Sequence, residues 1–127
     1  MSKLVYYELS CNVLKAAFAV HRAVGPGLLE AVYEGSLCVE LSRMGVAFER
    51  QKVIPVIYRG EYVGAYFADF VVENTIILEL KAVKALNEVM DAQVVNYLKL
   101  SGLPVGYLIN FNGIRVAWRR FVNLRGG

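Results

Sequence analysis

Asp69-Phe-Val-Val-Glu-Asn-Thr-Ile-Ile-Leu-Glu-Leu-Lys81 decides how the rest of the chain is read. Val71 and Val72 lead into the polar cluster Glu73-Asn74-Thr75, and Ile76, Ile77 and Leu78 lead out of it, which predicts a β-hairpin. With Asn74 at the centre of the turn, residues whose numbers sum to 148 face one another, so Asp69 stands across from Glu79. Lys81 shares their face, because side chains two apart along a strand point the same way. Cross-strand neighbours have Cβ atoms about 4.5–5.5 Å apart, where two ionised carboxylates repel by roughly 3 kcal/mol at an effective dielectric near 20. A divalent cation shared by the two acids, with the Lys81 ammonium beside it, would offset that cost. Two carboxylates completed by water and phosphate oxygens suit Mg²⁺ or Mn²⁺. The alternative is that Asp69, Glu79 and Lys81 form the wet face of an amphipathic hairpin. Phe67, Val71, Ile77 and Val83 interleave with them on that face. The other face, with Tyr66, Ala68, Phe70, Val72, Ile76, Leu78 and Leu80, is expected in the core.

The chain around this hairpin has 127 residues, 57% of them hydrophobic and 20% charged, a balance that excludes a disordered segment and predicts one domain over 1–127. No apolar run is long enough for a membrane span and no leader pattern opens the sequence, so a cytoplasmic protein without membrane contact is expected. A net charge of +3 permits nucleic-acid binding without demanding it. Cys11 and Cys38 lack metal-type spacing and read as buried reduced thiols, and His21, the single histidine, reads as a partner for a helix C-terminus.

A helical stripe of Val5, Leu9, Val13, Ala16, Ala17 and Val20 predicts a helix over Leu4 to Arg22, stopped by Gly25-Pro26-Gly27. A second helix is expected from about Leu28 to Met44, burying Leu29, Val32, Leu37 and Leu41 and aligning Glu30, Tyr33, Glu34 and Leu37. Its two carboxylates are also what the positive end of a helix dipole favours. Phe48 to Tyr58 alternates as a strand with Pro55 inside it, which predicts an edge or a bulge. Arg59-Gly60-Glu61 turns into Tyr62 to Val72, so three antiparallel strands form a meander. Asn87 caps a helix over Glu88 to Ser101, with Ala92, Val95 and Leu98 toward the sheet and Gln93 and Tyr97 on the next stripe. Val105 to Phe111 reads as a buried central strand, Asn112-Gly113 as a two-residue hairpin turn and Ile114 to Val122 as the returning strand. That last strand could pair with a second copy of the chain, which would make a homodimer.

A helix, a meander carrying Asp and then Glu-x-Lys, a helix and a further strand resemble the PD-(D/E)XK nuclease superfamily. Within it the chain looks like the GxxExxY proteins. The motifs are Gly27-Leu-Leu-Glu30-Ala-Val-Tyr33, Ala68-Asp-Phe-Val-Val-Glu-Asn74, Glu79-Leu-Lys-Ala82 and Ala92-Gln-Val-Val-Asn-Tyr-Leu98. Ala68 stands where the superfamily's pattern has proline. The resemblance implies an α/β (α+β) restriction-endonuclease-like core, a four-stranded mixed sheet with an antiparallel meander flanked by helices on both sides. It implies a Mg²⁺-dependent nuclease or phosphodiesterase, Mn²⁺ being a substitute, acting on DNA or RNA. Asp69 and Glu79 would hold the metal, Lys81 would stabilise charge or orient water, Glu30 would serve as an outer ligand or water-orienting group, and Gln93 would hold the Lys81 region or a phosphate. Lys84, Tyr97, Lys99 and Arg115 are candidate nucleic-acid contacts, whereas Arg119 and Arg120 read as solvated strand residues. The superfamily also contains inactive relatives, so a non-catalytic module that binds nucleic acid or a protein partner stands as the alternative.

Overall fold

The computed structural model describes residues 2–123, with side chains from Tyr6 onward. The elements are α1 (Ser2–Val24), α2 (Glu30–Arg43), β1 (Phe48–Tyr58), β2 (Glu61–Val72), β3 (Ile76–Lys81), α3 (Glu88–Ser101), β4 (Val105–Asn110) and β5 (Ala117–Val122). The strands form one mixed sheet in the order β1-β2-β3-β4-β5, parallel only between β3 and β4. The α3 crossover makes that parallel pairing possible. Where the resemblance implied four strands there are five, because β5 pairs with β4 residue for residue from Val105↔Val122 to Asn110↔Ala117. The expected helical stripe of α1 is buried at Val13, Ala16, Ala17 and Val20, while the side chain of Val5 lies outside the described residues.

Both faces of the sheet are covered. α1 and α2 pack on one, over Phe70, Val72, Ile76, Leu78, Leu80, Tyr107 and Ile109. α3 packs on the other, over Ala68, Val71, Ile77 and Phe121, through Tyr97 and Leu98. It lies close to β4 because Gly106 has no side chain: a Cβ there would meet Val94 Cγ1 at 2.8 Å. The buried face of α3 is Val94, Tyr97 and Leu98, not the expected Ala92, Val95 and Leu98. Asn87 caps it as expected, its Oδ1 accepting from the Met90 N–H at 3.0 Å, and Gly102 closes it.

Four sequence expectations change at particular residues. In α2 the buried stripe is Tyr33, Leu37 and Leu41, whereas Leu29 precedes the helix and is 77% exposed and Val32 is exposed too. Strict alternation fails within β2. Ala68 belongs to the α3 side and Phe70 to the α2 side, although both carry even numbers. The cause is a local reversal: Gln51 adopts φ 49° opposite Asp69, and the regular register resumes on either side with Lys52↔Ala68 and Arg50↔Phe70. Side chains before and after that point therefore swap faces. Asn112-Gly113 is not a two-residue turn, because β4 ends at Asn110 and β5 begins at Ala117. Burial of Phe111, whose N–H continues the ladder to the Lys81 carbonyl at 2.9 Å, carries the chain past the position a tight turn would need. The cysteines are free and half-buried rather than fully buried. His21 spans from α1 to the β4–β5 connection, its Nε2 lying 2.8 Å from the Gly113 carbonyl.

Pro55 sits in edge strand β1, with a register shift between Val56 and Ile57 beside it, as the proline predicts. The far part of the β1–β2 ribbon extends beyond β3, which pairs with β2 only from Phe70 to Val72.

Candidate active site

α1 ends at Val24 and the chain turns through Gly25 (φ 72°) and Gly27 (φ 89°), in the left-handed region where glycine is the ready residue. Tyr33, one turn into α2, clasps that loop. Its hydroxyl donates to the Gly25 carbonyl at 2.6 Å and accepts the Leu28 N–H at 3.2 Å, while its ring stacks on Phe111 at 4.7 Å. Glu30, the first residue of α2, is thereby held at a defined point. The spacing of Gly27, Glu30 and Tyr33 thus acquires a physical meaning: a turn, a presented carboxylate, and the clasp that fixes both.

The β2–β3 hairpin has the predicted register, with Phe70↔Leu78, Val71↔Ile77 and Val72↔Ile76. Beyond Phe70 the regular ladder stops and carboxylates take over from backbone carbonyls. Glu79 Oε2 accepts the Asp69 N–H at 2.8 Å, and Asp69 Oδ2 accepts the Leu80 N–H at 2.8 Å. The strands stand apart by the length of a side chain, with the two acids pinned across the gap. Lys81 ends β3, near enough to both acids for its ammonium to favour their ionised forms. The loop that follows it is tied down by Asn110, whose Nδ2 donates to the Val83 carbonyl at 2.9 Å and whose Oδ1 accepts the Val83 N–H at 3.1 Å.

Glu79 is only 5% exposed. Burial, and then the neighbouring Asp69, push its carboxyl up to about 8, against the smaller opposing effects of the Asp69 N–H and Lys81. Asp69 is raised by burial too, an effect reduced by the Leu80 N–H, by Gln51 and by Lys81. Glu30 is raised by burial and by Asp69 and lowered by Lys81. The structure thus brings the carboxyl groups of Glu30, Asp69 and Glu79 and the Lys81 ammonium within electrostatic reach of one another. Tyr97 faces the acids from α3. Burial, then Glu79 and Asp69, push its phenol up to about 12, and its ring lies 5.5 Å from that of Tyr66.

The donor chemistry fits a hard divalent ion. Both acids offer oxygen only, Glu79 has Oε1 beyond its backbone bond, and Asp69 Oδ1 has only a 3.3 Å contact from Gln51 Nε2. Among the described residues no group of three or more His, Cys, Asp or Glu forms a metal cage.

The sequence assigns no role in this site to two residues beside it, and Glu34 reads there only as a carboxylate aligned with Glu30 near the helix N-terminus. Gln51 Nε2 bridges Glu34 Oε1 (3.0 Å) to Asp69 Oδ1, and Glu34 Oε2 is held by Arg50 Nη2 at 2.7 Å. The helical alignment of Glu34 with Glu30, visible in the sequence, is the signal that would have assigned it to the site. Gln51 has no such signal, since its placement depends on a positive φ that no glycine announces.

Of the remaining candidates, Gln93 is half-buried on α3, and it makes no hydrogen bond to the Lys81 region among the described residues. Tyr97 is only 4% exposed, so it lies beneath the acids rather than on a surface for phosphate. Lys84 is exposed three residues past Lys81, and Arg115 is exposed in the β4–β5 connection at the same end of the sheet. Lys99 lies in the last turn of α3, toward the opposite end. Arg119 pairs with Asp91 of α3, and Arg120 points to the other face.

The sequence model of the PD-(D/E)XK nuclease superfamily matches residues 7–121. The chain belongs to that superfamily, and its five-stranded mixed sheet flanked by helices is a restriction-endonuclease-like fold. No curated protein and no solved structure matches it. Superfamily membership carries a nuclease-like function, a nucleic-acid substrate and the general use of divalent metal ions. Among the described residues no helix is long and apolar enough to cross a membrane.

Proposed function

We propose that this protein is a Mg²⁺-dependent nuclease, with Mn²⁺ able to substitute, whose centre is Asp69, Glu79 and Lys81. The observation that carries this reading is the opening between β2 and β3, where two buried or partly buried carboxylates face each other, each held by a backbone N–H of the opposite strand, and burial and the neighbouring Asp69 push Glu79 up to about 8. Asp69 and Glu79 would hold the ion, which when bound polarises the scissile phosphate and makes a nearby water more acidic. Lys81 sets its ammonium against the negative charge that builds on the phosphate oxygens, an effect that is usually the largest in such chemistry. Glu30, fixed by the Tyr33 clasp, accepts a hydrogen bond from the attacking water. Gln93 binds a substrate phosphate, and Lys84 and Arg115 follow the nucleic-acid backbone.

Cleavage of single- and double-stranded DNA and RNA with Mg²⁺ or Mn²⁺ tests this. Glu79→Gln and Lys81→Ala should each lower the rate by about 100-fold or more. Equal rates in these variants would overturn the reading. A second reading, a non-catalytic module that binds nucleic acid or a protein, is favoured by the exposed apolar face of the β1–β2 ribbon, which includes Val53, Ile57, Tyr62 and Phe67. It predicts binding that survives both chelator and Glu79→Gln.

A further inference from the structure

At the other end of the sheet a cavity of about 660 Å³ opens between the first half of α1 and the outer strands β4 and β5. None of Glu30, Asp69, Glu79 or Lys81 lines it. Its volume lies in the range of about 300–1,000 Å³ typical of small-molecule sites, and its walls are mainly apolar and aromatic, with Tyr6, Leu14, Tyr107 and Trp118 among them. Tyr107 and Trp118 form a tilted pair at 5.9 Å, so the floor is a firm aromatic surface.

Two polar groups in this wall form no hydrogen bond or ion pair among the described residues, and only the second is exposed enough to be reached from the cavity. Ser10 is 4% exposed, and its hydroxyl makes no hydrogen bond. A serine within a helix commonly donates back to the carbonyl four residues earlier, as Ser36 does to Val32 at 2.7 Å. Ser10 does not, and a buried hydroxyl left unpaired is a cost the fold would ordinarily avoid. Arg120 is the second group. Arg50 and Arg119 are held by Glu34 and Asp91, whereas Arg120, on the cavity face of β5, forms no ion pair among the described residues. An apolar aromatic wall with an exposed, unpaired guanidinium beside it has the make-up of a site for a ligand with an apolar body and an anionic end.

We propose that this cavity binds a small amphiphilic carboxylate. The hydrocarbon body lies against Leu14, Tyr107 and Trp118, and the carboxylate meets the Arg120 guanidinium. Arginine is the side chain suited to a carboxylate, which it can engage through two parallel hydrogen bonds. The proposal concerns a site separate from the acid pair and does not depend on nuclease activity.

Trp118 is the chain's one tryptophan and lines the cavity, so its fluorescence reports occupancy directly. The full chain is titrated with ω-bromoundecanoate below its micelle concentration, bromine being a contact quencher, and in parallel with the uncharged ω-bromoundecanol. Saturable quenching is expected, with the alcohol bound about tenfold more weakly than the carboxylate. Arg120→Gln, an exposed substitution, should abolish that tenfold preference while leaving alcohol binding in place. Ser10→Ala, which removes a hydroxyl with almost no accessible surface, should leave both affinities unchanged, and Leu14→Phe should block both. Quenching that is linear in ligand, or equal for both ligands in the unmodified protein, overturns the proposal. So does quenching unchanged in Arg120→Gln and Leu14→Phe, or Trp118 emission that shifts on dilution of the protein alone, since a second copy would then be covering the cavity.

Discussion

The contact between β2 and β3 has two halves built on opposite principles. From Phe70 to Val72 the strands pair regularly with Ile76 to Leu78, and every side chain in that stretch is buried and apolar. One residue further on, at Asp69 and Glu79, backbone pairing is replaced by carboxylates that reach across to N–H groups. The first half holds the hairpin together through burial and a complete ladder. The second gives up the ladder and buries ionisable groups where their ionisation is costly. Proteins tolerate such local conflict mainly where a site requires it, and the regular half beside it supplies the stability that makes the conflict bearable.

Substitutions on either side of that line should behave differently. Phe70→Ala, which empties a fully buried position packed edge-on against Phe48, should cost about 3–5 kcal/mol in denaturant unfolding. A loss below about 1 kcal/mol would show that the closed half is not the anchor.

Glu79→Gln should act in the other direction, and only at high pH. An unfolded chain ionises Glu79 near the ordinary 4.5, the folded one near about 8. Below 4.5 both states carry the proton and the carboxyl makes no difference to stability. As pH rises through that interval the unfolded state gives up its proton first, so the folded state loses ground, and above about 8 the deficit stays constant. Removing the charge should therefore raise stability at pH 9 by about 2 kcal/mol or more and leave it unchanged at pH 4. A gain of the same size at both pH values would mean that ionisation is not the cause.

Divalent metal sharpens the contrast further. At about 10–30 times its dissociation constant, Mg²⁺ should stabilise the unmodified protein by about 1.4–2 kcal/mol, more at pH 9 than at pH 6 because the ion competes with the proton on Glu79. Thermal unfolding in Glu79→Gln should show little of this shift. The smallest effect is expected at Gln51. Gln51→Gly relieves a left-handed backbone but removes the bridge between Glu34 and Asp69, so stability should change by less than about 1 kcal/mol while the metal-induced shift falls.

The parts of this molecule that depend on parity and punctuation were legible in the chain. Counting from Asn74 set the hairpin register and placed Asp69, Glu79 and Lys81 together; Pro55 announced the edge, and Asn87 with Gly102 bounded α3. Parity failed where a backbone angle intervened. A positive φ at Gln51 swaps the faces of β1 and β2, so Ala68 and Phe70 part company, and it delivers the Gln51 amide to Asp69. Periodicity likewise put Leu29 and Val32 inside α2, since nothing in the apolar pattern says that Tyr33 will turn inward to clasp the preceding loop. Asn112-Gly113 has strong turn chemistry, yet the burial of Phe111 next to it outweighed that local preference.

Gly106 leaves a vacancy in β4 that Val94 and Leu98 occupy from α3. The depth at which that helix rides on the sheet is therefore set by a missing methyl, and Tyr97 travels with the helix. One hydrogen in place of a carbon atom thus determines how closely a phenol is seated beneath the two acids, without Gly106 itself approaching them.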